Sequence, residues 1–90
     1  MNTVFLLMAR YDAQVIIPID VVCRDFFAPL QLHNLMRKIS AGDIALPVTR
    51  MDSSQKTAKG VHIQDLANFI DARRAAARKE CEQLCGIRLA

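Results

Sequence analysis

The sequence predicts an α-rich α+β fold, a winged helix-turn-helix with a small β-hairpin wing and a long C-terminal helix. Three observations favour it: two short helical patterns on either side of residues 28–31, two extended stretches on either side of a polar loop, and a last helical pattern at residues 64–84. A helix pair joined by a tight turn and followed by a hairpin has this outline. Because 90 residues suit one domain, we expect a single domain over residues 1–90.

The first helix is predicted to begin near Asn2 or Thr3, either of which can cap it, and to end near Tyr11. Apolar residues lie around most of its circumference, at Val4, Phe5, Leu6, Leu7 and Met8. Such a helix needs cover on two sides. Either it is central to the core, or its second side meets another subunit, since a chain of this length has little material for both.

A brief strand at residues 15–17 and a second helix from Ile19 to about residue 27 are expected next. The strand is β-branched and ends at Pro18. In the helix, apolar residues return at intervals of three and four, and Asp20 places a negative charge in the first turn, where the helix dipole favours it. Cys23 falls on the apolar side, so we predict a core thiol. Pro29 ends the helix.

The third helix, predicted over residues 32–42, has two unlike sides. Its apolar side carries Leu32, Leu35, Met36 and Ile39. Its other side carries hydrogen-bonding and basic residues: His33, Asn34, Arg37, Lys38 and Ser40. An ordinary amphipathic surface helix would give the same pattern. Its place after a helix and a tight turn favours instead a recognition helix, whose polar face enters the major groove of DNA.

A hairpin is predicted from extended residues 48–51 and 61–63, which are joined by a polar, basic loop. Placed after a helix pair, such a hairpin would be a wing. Side chains on or beside it can bond or neutralise phosphate oxygens: Arg50, Ser54, Gln55, Lys56 and Lys59. The alternative is a solvated loop that its charges keep soluble.

The longest helix is expected at residues 64–84, with Leu66, Phe69 and Ile70 at its buried start and Gly86 at its end. Its second half keeps only a narrow apolar stripe, which is either a weak dimer seam or part of an exposed helix. A dimer interface is therefore predicted at a set of apolar positions on the first and last helices: Val4, Phe5, Leu6, Met8, Ala77, Cys81 and Leu84.

The charge is concentrated in the middle of the chain. The net charge is +3, and residues 33–60, which hold five cations and two acids, account for the whole excess. Clustering of this kind is expected of a protein that binds a polyanion such as duplex DNA, although so small an excess is also found on solvated faces.

Other classes of function lack their motifs. Cys81 and Cys85 share one helix face and could form half a zinc site, but neither His33 nor His62 lies in a ligand pair, so we expect no metal and no cofactor. With no catalytic arrangement and no glycine-rich phosphate loop, we expect no enzyme. No secretion signal or membrane span is apparent, and three cysteines without framework spacing fit a cytoplasmic protein.

The chain resembles the pyocin activator protein (PrtN) family of bacterial transcription activators. The similarity lies in MNTVFLLMARYD, VIIPIDVVCRDFF, LMRKISAGDIALPVTRMDSSQKTAKGVHIQDLANFIDARRAAA and KECEQLC, of which SSQKTAKGVH is the most distinctive part. The resemblance implies a DNA-binding activator that recognises boxes upstream of bacteriocin (phage-tail-like pyocin) genes, which are expressed when DNA damage lifts repression.

The sequence thus predicts binding of duplex DNA, as a homodimer on repeated or inverted sites, with RNA polymerase as a further partner of an activator. Residues on the third helix would approach base edges or nearby phosphates, and residues of the wing would contact the backbone or minor groove. Two alternatives remain open: an excisionase-like architectural protein that bends its site, and a small adaptor or antirepressor that binds proteins through its apolar first helix and not DNA.

Overall fold

The order of the helices and strands comes from a computed structural model, which describes residues 2–54 and 57–89. The elements are α1 (Thr3–Arg10), β1 (Ile16–Pro18), α2 (Ile19–Phe26), α3 (Leu32–Ser40), β2 (Thr49–Arg50), β3 (Lys59–His62) and α4 (Ile63–Cys85). Within these residues the fold is α+β, with four helices and a small antiparallel sheet. The predicted helices are all present.

Local capping sets the ends of several helices as the sequence predicted. The Asn2 side chain caps α1 by accepting a hydrogen bond from the backbone N–H of Phe5 at 3.0 Å. Gly42 follows α3 with φ 81° and Gly86 follows α4 with φ 68°, left-handed conformations that glycine adopts at low cost. The third helix ends at Ser40, two residues short of the predicted end at residue 42.

The sheet has strand order β1-β3-β2 and is antiparallel throughout. Pro18 is paired with Gly60 and lies on an edge strand of the sheet, so its lack of an N–H removes no hydrogen bond between strands. A Cβ on Gly60 would lie 2.9 Å from the Ile17 carbonyl oxygen, so the close approach of β3 to β1 requires glycine. The first hairpin strand is shorter than the sequence predicted, since only residues 49 and 50 of the stretch 48–51 are paired. The second, Lys59–His62, begins two residues before the predicted stretch 61–63.

The junction between β3 and α4 corrects one prediction. Ile63 was expected to be the last residue of a strand, but it is the first residue of the helix. The reason is an unusual cap: the Nδ1 atom of His62 accepts a hydrogen bond from the backbone N–H of Gln64 at 3.0 Å. The helix therefore starts one residue earlier, while the Ile63 N–H still donates to the Val15 carbonyl at 2.8 Å.

One core joins these elements. Five side chains are completely or almost completely buried, one each from β1, α2, α3, β3 and α4: Ile17, Val22, Leu35, Val61 and Leu66. Leu7 of α1 is also buried. Cys23 is a core thiol, as predicted, and its Sγ donates to the Leu30 carbonyl at 3.2 Å. The turn between α2 and α3 is held to α4 by the rings of Phe27 and Phe69, whose centroids are 5.6 Å apart.

A polar cluster that the sequence reading missed joins α1 to α2. The Asp25 carboxylate accepts hydrogen bonds from the Tyr11 hydroxyl at 2.6 Å and from Arg24 Nε at 3.0 Å, and it lies 3.3 Å from the Arg10 guanidinium. The bond from Arg24, with that from Tyr11, lowers the pKa of Asp25 to about 2. Asp25 is thus inside α2 and joins this helix to the end of α1.

Candidate nucleic-acid interface

The third helix has the two-sided character that its sequence indicates. Leu35 is fully buried, and Met36 and Ile39 pack against the core, so one side of the helix is fixed. Arg37 lies on the opposite side and is exposed. Asn34 is one turn earlier on that same side and is partly buried. The helix therefore holds an amide and a guanidinium side by side on a face whose direction the core determines.

The remaining polar residues of α3 flank that face. His33 and Ser40 are exposed on one edge, and Lys38 is half-buried on the other edge, next to the apolar side. A lysine in this position can lay its aliphatic stem along the core and extend its ammonium group into solvent. Arg37 and Asn34 can therefore contact a partner surface that directly faces the helix. His33 and Lys38 can contact groups of the partner that lie along the edges of the helix.

The hairpin brings two more of the predicted site residues together. Arg50 and Lys59 are partners in the register of β2 and β3, directly opposite each other. Side chains at such positions share one face of the sheet, with Cβ atoms roughly 4.5–5.5 Å apart. Two like charges in this arrangement destabilise the hairpin unless a negatively charged group lies close to both. The pair is a small, fixed concentration of positive charge.

The loop of the hairpin is described only in part. Ser54 is exposed, and its backbone N–H donates to the Asp52 carboxylate at 3.0 Å, which forms a turn. Thr57 donates from its backbone N–H to the Ser54 carbonyl at 3.2 Å. Gln55 and Lys56, which we expected to contact phosphate, lie outside the described residues.

No acidic side chain in the described ranges forms an ion pair with Arg37, Lys38, Arg50 or Lys59. Asp25, in the N-terminal part of the chain, instead forms ion pairs with Arg10 and Arg24. Asp25 therefore neutralises cations of α1 and α2, whereas these four cations of α3 and of the hairpin form no ion pair within the described residues. The cations that pair with Asp25 and the cations of α3 and the hairpin lie on separate elements, and α2 packs against both α3 and β3.

The predicted dimer residues divide between core and surface. Val4 is partly buried and packs against the core, whereas Phe5, Leu6 and Met8 are 59%, 55% and 37% exposed. On α4, Ala77 and Cys81 are exposed, and Leu84 is 79% exposed. The first helix therefore uses one side for the core, and its second apolar side is uncovered in a single chain.

Residues 2–54 and 57–89 lack two other kinds of feature. They contain no group of three or more His, Cys, Asp or Glu side chains placed to hold a metal ion. None of their helices combines the length and the apolar character that crossing a membrane requires. His62, considered as a ligand, instead caps α4.

Comparison with known proteins gives one match. The model of a family described as pyocin activator protein PrtN matches residues 3–77, which include α1, the sheet, α2, α3 and α4 as far as residue 77. No curated protein and no solved structure matches the chain. The match ends before Cys81 and Cys85.

Proposed function

This chain belongs to the pyocin activator protein PrtN family, and from that membership we propose that it activates pyocin-type bacteriocin genes by binding duplex DNA upstream of them. A role in activating pyocin genes comes from the family. Such an activator is not an enzyme. The further elements of the proposal are the winged helix-turn-helix, the DNA contact and the residues that make it.

The order of elements supports a winged helix-turn-helix. The helices α2 and α3 are separated by residues 27–31 and are followed by the strands β2 and β3, while β1 pairs with the second strand of that hairpin. In a helix-turn-helix the first helix braces the second, and the second lies in the major groove. Here the bracing contact exists, since α2 packs against α3 and both contribute fully buried side chains, Val22 and Leu35, to the core.

The observation that carries the proposal is the exposed face of α3, where Arg37 and Asn34 stand opposite the fully buried Leu35. Arginine can donate two hydrogen bonds to the O6 and N7 atoms of guanine, and asparagine can pair in the same way with adenine. We assign these two residues to base edges, and His33 and Lys38 to base edges or phosphates at the rim of the groove.

The wing would bind the sugar-phosphate backbone or the minor groove. Arg50 and Lys59 face one side of the hairpin together, and the polar loop with Ser54, Gln55 and Lys56 continues from them. Contacts of this kind fix the position of the protein on DNA and add affinity for every sequence. A homodimer is part of the proposal, because Phe5 and Leu6 present an apolar face that a second copy can cover and because two copies would read repeated or inverted boxes.

The test compares Arg37→Ala with the matched control Arg73→Ala, an exposed arginine on α4. Fluorescence anisotropy would measure binding to a duplex from the region upstream of the bacteriocin genes and to the same duplex with its sequence scrambled. Loss of a bidentate base contact costs about 1–3 kcal/mol, so Arg37→Ala should reduce the preference for the native duplex roughly 5- to 150-fold. Arg73→Ala should leave that preference unchanged.

The proposal would be wrong if the wild-type protein bound both duplexes equally, or if Arg37→Ala and Arg73→Ala had the same effect on preference. The exposed α1 face favours a second candidate, a protein-binding adaptor or antirepressor. In that case Phe5→Ser with Leu6→Ser would abolish activation in cells while charge changes on α3 had no effect.

A further inference from the structure

The C-terminal half of α4 carries a pair of thiols that neither the core nor the proposed DNA contact uses. Cys81 and Cys85 are one turn apart, both are exposed, and their Sγ atoms are 4.0 Å from each other. They lie beyond residue 77, where the family match ends. The third thiol, Cys23, is buried in the core and does not compete with them.

The separation of the two sulfur atoms is close to the one that a tetrahedral metal centre requires. Zinc binds thiolate sulfur at about 2.3 Å in tetrahedral geometry, which places any two sulfur ligands about 3.8 Å apart. The observed distance between the two Sγ atoms is 4.0 Å, and a small rotation of either side chain would bring it to the required value. Both thiols can therefore bind one metal ion without a change in the helix.

The same geometry is unfavourable for an internal disulfide. Residues four apart on a helix have Cβ atoms about 5–6 Å apart. A disulfide needs its Cβ atoms at about 3.5–4.5 Å. Closing a Cys81–Cys85 disulfide would therefore distort the helix, and the pair is better suited to hold a metal ion than to oxidise.

A single chain supplies only half of such a centre. Structural zinc sites have four protein ligands. The described residues contain no set of three or more candidate ligands, so no third ligand of the same chain lies beside the two thiols. A two-fold axis through the metal would bring an identical pair from a second copy, because a symmetric interface uses the same patch of both subunits.

The surroundings of the pair favour this arrangement in two ways. Leu84, 79% exposed beside the thiols, would be covered by a second helix. This half of α4 is almost entirely exposed, and an isolated helix of that length is marginally stable in water.

We propose that Cys81 and Cys85 of two copies of this chain bind one zinc ion, as a four-thiolate site that joins the C-terminal halves of the two α4 helices. Binding exchanges four thiol protons for one Zn²⁺, so four protons are released for each ion that binds at a pH where the thiols are protonated. The site is independent of DNA binding and stays testable if the proposed function fails.

The test is a titration of the reduced, metal-free full chain with Co²⁺ under anaerobic conditions, followed by Zn²⁺ competition. Co²⁺ should give thiolate charge-transfer absorption and the intense visible bands of a tetrahedral centre, saturating at one ion for two chains. Zn²⁺ should remove those bands. Light scattering should show a dimer in the presence of the metal for wild type and for Phe5→Ser with Leu6→Ser, whose α1 face is disrupted.

Three variants make the test specific. In the chain that carries Phe5→Ser with Leu6→Ser, so that the α1 face makes no dimer of its own, Cys81→Ser and Cys85→Ser, both at exposed positions, should each lose the charge-transfer absorption and the metal-dependent dimer. Cys23→Ala, with its helical content checked by circular dichroism, should keep both. Saturation at one ion per chain, bands that survive in Cys81→Ser, or no thiolate absorption in the wild-type chain would overturn the proposal.

Discussion

The facing pair of cations in the wing gives a prediction in which stability and DNA affinity move in opposite directions. Arg50 and Lys59 are directly opposite in the register of β2 and β3. In Arg50→Thr with Lys59→Thr the like charges disappear, and a threonine pair is favourable between strands. The free energy of unfolding should rise by about 0.2–1 kcal/mol. Urea denaturation followed by circular dichroism would measure it.

The affinity for DNA should fall in the same variant, in a way that depends on salt. Each phosphate contact adds about 0.9 to the slope of log K against log salt concentration, so the loss of two contacts should lower the slope by about 1.8. Between about 50 and 200 mM salt, the wild-type affinity should therefore fall about 12-fold further than that of the variant. Anisotropy titrations at four salt concentrations would give both slopes.

A control variant distinguishes a local contact from net charge. Arg73→Gln with Arg74→Gln removes the same two charges from an exposed part of α4. Its slope should stay close to that of the wild type. If both double variants lose the same slope, or if the threonine variant keeps the wild-type slope, the wing does not contact phosphate and the reasoning from the register is refuted.

Three further predictions concern folding. Leu35→Ala should lower the free energy of unfolding by about 2–5 kcal/mol in chemical denaturation, because the Leu35 side chain is fully buried. The control Leu32→Ala, at a position 39% exposed, should lower it by less. Equal losses would contradict the assignment of the buried face. Because the folded-state pKa of Asp25 is lowered to about 2, its carboxylate stabilises the fold above the ordinary pKa near 4 and loses that effect as the pH falls toward 2. The difference in melting temperature between wild type and Asp25→Asn should thus be constant above about pH 5 and shrink below pH 4, and a difference that stays unchanged to pH 2 would exclude this role. Gly60→Ala should lower the free energy of unfolding by about 1–3 kcal/mol, since the added Cβ would lie 2.5 Å from a side chain of β1. In Gly42→Ala the added Cβ meets no atom within 4 Å, so only the strain of the positive φ should destabilise the fold. Thermal melting would compare the two variants.

The helices could be predicted from the sequence because their signals are local. Periodicity located α2 and α3, and residues such as Asn2 and Gly86 marked ends through their own backbone preferences. The strands could be predicted less well, since their lengths depend on which partner they meet. The Arg50–Lys59 register, on which the wing argument depends, is fixed by tertiary pairing across a loop and has no local signal.

The Asp25 cluster was missed although a signal existed. A carboxylate in the last turn of a helix is disfavoured by the helix dipole, and Asp25 is in the last turn of α2. Such a residue implies a compensating partner, which here is Tyr11, 14 positions away, together with the two arginines. The identity of that partner required the fold. Likewise, the sequence placed Cys81 and Cys85 on one helix face, but only coordinates give the distance between their sulfur atoms.

The pairing of α1 with α4 has a consequence for synthesis of the protein. Thr3 donates a hydrogen bond to Asp71, 68 residues later, and Leu7 shares the core with Leu66. At a translation rate of about 5–20 residues per second, an apolar segment made first waits roughly 3–14 s for the helix that covers it. During that interval the nascent chain exposes Phe5 and Leu6 together with the side of α1 that will later be buried, so both apolar sides of this helix are open to water at once.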